Sequence, residues 1–392
     1  MRSIFSSVFV RNTGAPWFLL VLAACGGGGN DPQVPTSISV NPSSVSFTAA
    51  GQTRQLSPTV TDQQGNPLSG VTVTWTSNND AVASVSSTGL VTAHATGSAQ
   101  ITAHAGSATA IVPVAVATFD IVVRYVSNAT TTQRQAFANA EARWESLITG
   151  DLEDVQLNAT AGDCGASSPA INENIDDLLI LVTLDSIDGP GNVLGSAGPC
   201  YIRNTNSLSI LGTMVFDTTD LQDVQAAGLL NDLILHEMGH VLGFGSLWPT
   251  DSLLADPSLP PANGTDPHFT GPQALTAFNS VGGSGYAGAK VPVEDTGGEG
   301  TADGHWRESV FGNELMTGFV DIGSNPLSIV TLASLADEGY TVNPSGVDAY
   351  SLLLSLRATG RSPARLHLGR DILRLPVKKV DPEGRVTGLF RR

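Results

Sequence analysis

The residues of this chain best suited to chemistry lie between His236 and Gly243, a segment that reads His-Glu-Met-Gly-His-Val-Leu-Gly. Residues four apart on a helix share one face, so His236 and His240 can bind one metal ion together. Glu237 lies beside them, where it can act as general base toward a water molecule. Gly243 can end the helix in a left-handed turn. The spacing therefore predicts a metal-dependent hydrolytic site, the alternative being two solvated histidines on a helix surface.

The elements around this motif must position it. The largely apolar stretch from Val224 to Leu235 predicts the buried helix that carries the motif. Farther upstream, Thr130 and Gln133 fit a capping box at the start of another helix. Segments 177–184 and 208–216 predict strands. We expect the second of these strands to line the cleft and to pair with an extended peptide.

Two histidines leave a catalytic zinc site incomplete, because such a site usually has three protein ligands and one open position. The residue six positions after His240 is Ser246, which excludes the short spacing of a third histidine. Either a distant carboxylate completes the site or a histidine returns after an insertion. His305 is the strongest candidate, because one loop can hold both it and Met316, and this pair resembles the histidine and methionine turn of the metzincin signature. The other downstream histidines, His268 and His367, are weaker candidates.

Three separated elements in this order resemble the leishmanolysin family of metzincin peptidases: the motif with its glycine and Phe244, His305-Trp306 after a long insertion, and Glu314-Leu315-Met316. The resemblance covers about residues 118–343. It implies that one catalytic Zn²⁺ is bound by His236, His240 and His305. It also implies that Glu237 is the general base, that Met316 forms a methionine turn beneath the metal, and that the substrates are polypeptides.

The chain departs from this family in its cysteines. Protozoan members are rich in disulfides, whereas this chain has three cysteines in total. No cysteine of a pro-segment is present that could block the zinc, which leaves open how activity is restrained. In an oxidising compartment Cys164 and Cys200 would form one disulfide. Asp232, one helical turn before His236, is a candidate partner for orienting its ring.

The N-terminal part predicts a separate all-β module at residues 35–117, rich in Thr, Ser and Val with recurring turn signals. It resembles the bacterial immunoglobulin-like domains of group 2 in the segments 39–42, 75–77 and 89–93. The predicted fold is therefore multidomain: an all-β immunoglobulin-like sandwich followed by an α+β zincin domain of the metzincin type at residues 118–345.

The first 25 residues predict an export signal. Arg2 and Arg11 precede an apolar core that is too short to span a bilayer. Leu22-Ala23-Ala24-Cys25 resembles the lipobox of bacterial lipoproteins, which implies that Cys25 is lipidated and that residues 26–34 form a flexible linker. The resemblance favours an outer-membrane anchor at the cell surface, with release from the cell as a further possibility. An ordinary signal peptide with an incidental cysteine is the alternative.

The distribution of charge is uneven. The net charge is −17, and ten of the 19 Lys and Arg residues lie between Arg357 and Arg392. The acidic body argues against nucleic acid as a partner. It permits Ca²⁺, although no EF-hand pattern supports a calcium site. Residues 346–392 form a basic tail, either an interaction segment or a solvated, partly disordered end.

These observations predict a zinc endopeptidase anchored at the bacterial cell surface. The alternative is a surface adhesin in which a degenerate zincin domain binds metal and a partner. The intact Glu237 favours the enzyme, because a site that only binds has no use for a general base.

Overall fold

The structure is a computed structural model, and it describes residues 32–191, 193–286, 290–352 and 365–390. Residues 37–116 form the first module. Its strands form a two-stranded pair β1–β4, a four-stranded sheet β2-β9-β8-β5 and a three-stranded sheet β3-β7-β6. Side chains in the long hairpin β8–β9 alternate between buried and exposed, as expected for sheets packed on one face. The strands are β1 Ser37–Asn41, β2 Val45–Phe47, β3 Thr53–Gln55, β4 Ser57–Thr61, β5 Thr74–Ser77, β6 Ala83–Val85, β7 Leu90–Ala93, β8 Gly97–Ala105 and β9 Ala108–Val116.

The second domain is built on a six-stranded sheet of order β10-β13-β15-β14-β21-β22. Strands β10, β13 and β15 are parallel, and β14 runs antiparallel to β15. The strands of this domain are β10 Ile121–Tyr125, β11 Val155–Ala159, β12 Ile171–Ile175, β13 Leu178–Asp185, β14 Gly195–Arg203, β15 Ser209–Asp217, β16 Leu254–Ala255, β17 His268–Phe269, β18 Val291–Pro292, β19 Phe319–Asp321, β20 Arg365–His367, β21 Val377–Val380 and β22 Val386–Phe390.

Helices cover one face of this sheet, and the hairpin β11–β12 packs against the other. Because both faces are covered, β13 is an almost unbroken apolar run. The helices are α1 Thr131–Leu147, α2 Thr218–Ala226, α3 Leu230–Leu242, α4 Pro272–Ser280, α5 Glu308–Phe311 and α6 Ile329–Glu338, with 3₁₀ turns at Gly283–Gly285 and Pro344–Gly346. None of the helices in the described ranges is long and apolar enough to cross a membrane.

The helix boundaries follow local signals. The predicted capping box is confirmed, since Thr130 and Gln133 bond each other's backbone N–H at the start of α1. The continuous helix predicted from Val224 onward is wrong. Gly228 adopts a positive φ of 77° and separates α2 from α3, which alone carries the histidine motif.

The expectation that segment 208–216 pairs with an extended peptide is also wrong. This segment is β15, which has hydrogen-bonded neighbours on both sides, β13 and β14, and therefore offers no free edge to a peptide. The strand nearer the sheet's edge in this region is β14, which the sequence analysis did not single out.

The C-terminal segment is part of the second domain. β21 pairs with β14 in parallel and β22 completes the sheet, while β20 pairs with β19. We call residues 365–390 the C-terminal segment below. They are an ordered part of the sheet, so the reading of this part of the tail as a solvated end is wrong.

Candidate metal centre

The side chains of His236, His240 and His305 converge in the interior of the second domain. Their Nε2 atoms are 3.0 Å apart for His240 and His236, 3.0 Å for His240 and His305, and 3.3 Å for His305 and His236. All three rings are fully buried. The structure thus brings together residues that are 65 positions apart in sequence, 240 and 305.

Each ring is oriented by a backbone carbonyl that accepts a hydrogen bond from Nδ1. The partners are Leu315 O for His236 at 2.7 Å, Phe244 O for His240 at 2.8 Å, and Thr301 O for His305 at 2.9 Å. Since a carbonyl oxygen only accepts, Nδ1 carries the proton in each neutral ring. All three Nε2 atoms therefore turn unprotonated lone pairs toward one point, the arrangement that a metal ion requires.

Close contact with the sheet holds α3 in place. The Cα of Gly212 in β15 lies where a side chain would collide with Val241 of α3, so the absence of a Cβ lets helix and strand approach. Ser209 Oγ donates to Val241 O, and Trp144 Nε1 of α1 donates to Leu235 O at 3.1 Å. These contacts fix the helix face that carries His236 and His240.

Gly243 ends α3 as its position in the motif predicted. Its φ is 138°, and a Cβ there would collide with the Glu338 carboxylate. The chain turns immediately, which places Phe244 O against the ring of His240. Glycine is thus needed here both for the backbone conformation and for the close approach of α6.

A loop pinned at several points positions His305. Asp303, two residues before His305, has a positive φ of 66°. Its carboxylate accepts hydrogen bonds from the backbone N–H groups of Ser258 and Leu259, both at 2.8 Å. On the other side, Glu294 N donates to His305 O at 2.9 Å. Trp306 is fully buried, and its Nε1 donates to Thr331 Oγ1 at 2.8 Å. The long insertion therefore builds the support for the distant histidine.

Met316 packs directly beneath the histidine helix. A Cβ on Gly239 would lie 2.9 Å from Met316 Cε and 3.0 Å from its Sδ, so only glycine leaves room for this contact. The buried Glu314 shapes the turn by accepting bonds from Met316 N, Ser328 and Thr331. Leu315 O of the same turn also accepts the hydrogen bond from His236 Nδ1, so the turn both packs beneath the histidine helix and orients one of its rings.

A fourth group, Asp371 of the C-terminal segment, completes the cluster. Its Oδ2 lies 3.0 Å from His305 Nε2, 3.3 Å from His236 Nε2 and 3.9 Å from His240 Nε2. Asp371 is fully buried. Asp371 could not be predicted from the sequence, because no spacing relates position 371 to the motif. A strand-like alternation of apolar residues at 366, 368, 373 and 375 was the available signal that this part of the tail is folded.

Burial and mutual proximity shift the protonation of the cluster. Burial lowers the pKa of His236 and of His240 and so keeps these rings neutral. Burial also acts to lower the pKa of His305, but the Asp371 carboxylate outweighs it and the net shift is upward. Burial acts to raise the pKa of Asp371, but the three imidazoles outweigh it and hold the pKa well below its usual range.

Glu237 lies in the same buried region without a hydrogen-bond partner among the described residues. Burial, and next the charge of Asp371, raise the pKa of Glu237 well above its ordinary value. A buried carboxylate with no partner costs folding free energy, so its presence calls for a functional reason.

The donor set fits zinc. Tetrahedral coordination with Zn–N bonds of about 2.0–2.1 Å requires nitrogen atoms roughly 3.3 Å apart. The observed Nε2 separations of 3.0 to 3.3 Å approach this value. Three imidazole nitrogens and one carboxylate oxygen that converge in a buried interior are a donor set of the kind that holds zinc.

The remaining candidates lie elsewhere. Asp232 accepts a hydrogen bond from Asn325 Nδ2 at 2.8 Å, so its predicted role as a partner of His236 is wrong; a backbone carbonyl takes that place. His268 in β17 bonds Asp266 O, and His367 in β20 packs on Phe319; neither belongs to the cluster.

Cys164 and Cys200 are joined in a disulfide. Cys25 lies outside the described residues.

A second group of carboxylates, Asp151, Asp176 and Asp177, has oxygen atoms within 4.8 Å of one another. Burial, followed by repulsion from its neighbours, raises the pKa of Asp177 to about 7. The buried Arg203 donates to the backbone carbonyls of Asp176 and Asp177. These contacts give no further support to the calcium expectation.

Comparison with known families divides the chain in the predicted order. Residues 34–116 match the family model of the bacterial Ig-like domain (group 2), and residues 172–349 match the model of leishmanolysin. The predicted fold class, an immunoglobulin-like module followed by a mixed α/β domain, is confirmed. The second match supports a metallopeptidase. No curated protein matches the chain.

Solved structures that match the chain include domains 4 and 5 of the S-layer protein SbsC, with 34% identity and a TM-score of 0.20 over 22% of this chain and 53% of that one. The adhesin InvE of Yersinia pseudotuberculosis matches with 22% identity and a TM-score of 0.16 over 23% of this chain and 29% of its own. A termite-gut xylanase with a bacterial Ig-like domain matches with 16% identity and a TM-score of 0.15 over 36% and 40%. The chain thus spans less than two thirds of each.

Proposed function

We propose that this protein is a zinc-dependent endopeptidase of the bacterial cell surface, in which His236, His240 and His305 bind the metal and Glu237 is the general base. One observation carries the proposal: three imidazoles from a helix and a remote loop turn unprotonated Nε2 atoms to one point, within 3.3 Å of one another. The match of residues 172–349 to leishmanolysin supports it.

The chemistry divides between metal and protein. Zinc held by three neutral imidazoles would polarise a peptide carbonyl and make an attacking water more acidic. Glu237 removes the proton from that water and delivers it to the leaving amine. Its burial suits this role, because its two oxygens have no hydrogen-bond partner among the described residues and can accept the proton of that water.

The other residues keep this arrangement rigid. The carbonyls of Leu315, Phe244 and Thr301 hold each ring in one tautomer. Met316 packs under the helix and keeps water from its lower side, while Glu314 fixes the turn. The Ig-like module would hold the peptidase domain away from the cell envelope.

A second candidate deserves a test because of Asp371. Structural zinc sites have four protein ligands, and Asp371 supplies a fourth here. In that case the domain would bind metal and a partner without catalysis, as an adhesin. The unpartnered, buried Glu237 favours the peptidase, since a closed structural site would gain nothing from it.

Metal analysis and protein digestion test the proposal together. The purified protein should hold about one zinc per chain and digest casein in a chelator-sensitive way. Glu237→Gln should keep the zinc and lose digestion. The matched control is Glu173→Gln, which changes a half-exposed acid paired with Arg124 in the same domain and should behave as wild type. Chelator-sensitive digestion at the same rate by Glu237→Gln and wild type would remove Glu237 from the role of base.

We further propose that the protein is exported and lipidated at Cys25, and that Cys164 and Cys200 stabilise it outside the cytosol. The lipobox-like sequence and the Ig-like match support this placement. Cys25→Ser should move the protein from the membrane fraction to the soluble fraction. Unchanged membrane association of that variant would refute lipid anchoring.

A further inference from the structure

The position opposite the three imidazoles is filled by a residue of this chain. Asp371 Oδ2 lies within 3.3 Å of the Nε2 atoms of His236 and His305, and the side chain is fully buried. A catalytic zinc site keeps that position open for water and substrate. In the described state Asp371 therefore takes the place that the substrate carbonyl and the attacking water need.

The backbone on either side of Asp371 fills the neighbouring edge of the sheet. Ala197 N of β14 donates to Asp371 O at 2.7 Å, and Leu373 N donates to Ala197 O at 2.8 Å. Farther along, residues 201–203 of β14 pair in parallel with β21. An extended peptide that enters this site would need the same β14 hydrogen bonds, because β15 is already paired on both sides.

The C-terminal segment extends from one side of the cleft to the other. Before Asp371, β20 pairs with β19, and Leu368 N donates to Gly318 O at 3.2 Å in the chain that follows the methionine turn. Leu368 is fully buried. After Asp371 the chain joins β14 on the opposite side. The C-terminal segment thus connects the lower wall, near Met316, to the sheet above, and it passes over the imidazoles between them.

The next residue, Ile372, lines a cavity of about 570 Å³ together with residues of the insertion and Ser246. Its Cδ1 occupies the space that a side chain on Gly304, next to His305, would need. The segment therefore fills the metal-facing position and the neighbouring strand edge, and it also packs against the residue next to His305.

Charge explains why a basic segment binds here. Residues 365–390 contain six basic and three acidic side chains, whereas the protein as a whole has a net charge of −17. Lys378 pairs with Asp163 at 2.6 Å, and Arg365 pairs with Glu308 at 2.6 Å. Each pair is partly exposed and so contributes about 1 kcal/mol or less. These ion pairs add to the attachment that the buried Leu368 and Val377 and the pairing with β14 provide.

We propose that the C-terminal segment is an autoinhibitory strap that keeps the peptidase latent, with Asp371 as the blocking ligand. The proposal rests on the proposed zinc peptidase function. Withdrawal of the segment opens the fourth position, frees the β14 edge and leaves Glu237 beside the vacated space.

The test uses the full-length protein with cobalt(II) in place of zinc and acetohydroxamate as the probe. Asp371→Ala and Asp371→Asn should bind acetohydroxamate at least about tenfold more tightly than wild type, seen as a change in the cobalt absorption spectrum, because wild type is open only a small fraction of the time. Casein digestion by the zinc forms should rise in parallel. The control Asp381→Ala removes an acid from the same segment, where it bonds Arg385, and should match wild type.

The outcomes separate the two proposals. Equal acetohydroxamate affinity in wild type and both Asp371 variants overturns the strap. Tighter binding without digestion supports the strap as occupant of the site and refutes the peptidase. If the Asp371 variants fail to fold, the titration of wild type alone decides. A change in the cobalt absorption spectrum that is complete at micromolar acetohydroxamate overturns the strap. A spectrum that does not change at millimolar acetohydroxamate supports it.

Discussion

Replacing Gly212 with alanine should loosen the packing that positions the histidine helix. Gly212 lies in β15 under α3, where an added Cβ would collide with Val241 Cγ1 and lie 3.1 Å from Gly198 O. Strand and helix are both buried, so neither side can yield to solvent. Overpacking of this kind costs about 1–3 kcal/mol of folding free energy.

The same contact predicts a rescue. Val241→Ala removes two buried methyl groups at about 0.8 kcal/mol each and leaves a cavity, for a total loss of about 2–3 kcal/mol. In the double variant the new methyl group at position 212 occupies part of that cavity. We therefore expect Gly212→Ala with Val241→Ala to be more stable than the sum of the single losses by about 2 kcal/mol.

Stability is measured by calorimetric unfolding, which distinguishes the transition of the second domain from that of the Ig-like module. Zinc affinity is measured separately by chelator competition. Gly212→Ala should also weaken zinc binding by about 10–100-fold, because α3 carries two of the three histidines while His305 lies on a separate loop. Gly285→Ala is the control: Gly285 is exposed, and a Cβ there meets nothing within 4 Å. If the two single losses simply add in the double variant, the packing described here is incorrect.

Three further outcomes are expected. Glu237→Gln should reduce casein turnover by about 10²–10⁴-fold at unchanged zinc content, measured in the Asp371→Ala background so that latency does not mask it; turnover within twofold would contradict the assigned role. Burial, with repulsion from Glu145 and Asp120, raises the pKa of Glu141 to about 7. Between about pH 4.5 and 7 the folded state therefore keeps a proton that the unfolded state has lost. The contribution of Glu141 to the free energy of unfolding consequently rises as the pH falls. Glu141→Gln, which keeps the bond from Val123 N, should therefore be more stable than wild type by about 1 kcal/mol at pH 8 and equal to it at pH 4.5, with melting temperatures as the measurement; a pH-independent difference would exclude this carboxyl as the cause. Reduction of the Cys164–Cys200 disulfide, which links residues 36 apart, should lower stability by about 3–4 kcal/mol, with Cys164→Ser/Cys200→Ser insensitive to reductant; an equal response of that variant would point to another target.

Local spacing allowed part of the site to be predicted. His236, Glu237 and His240 are related by one helical turn, and Gly243 by the end of the same helix, so their geometry follows from the backbone alone. His305 and Met316 were identified through resemblance to a family, since their distance from the motif is set by the fold of the insertion. His305 bonds Thr301 O and faces the rings of His236 and His240, and Met316 packs against Gly239. Their roles as zinc ligand and methionine turn stay predictions.

The part that could not be predicted depends on strand order. Nothing in the composition of β14 and β15 tells which one lies inside the sheet, because both are almost completely buried. Asp371 was missed for a related reason: an acid with only basic and apolar neighbours in sequence has no local pattern, and its position follows from the parallel pairing of the C-terminal segment with β14. The prediction for Asp232 failed because main-chain carbonyls took the role assigned to a carboxylate.

The most direct measurement is a crystal structure of the full-length protein with anomalous data collected at the zinc absorption edge. A single anomalous peak should lie within bonding distance of Nε2 of His236, His240 and His305, with the Asp371 carboxylate as the fourth neighbour. A peak that lacks His305, or no peak in a crystal supplied with zinc, would contradict the central claim that these remote histidines form one metal centre.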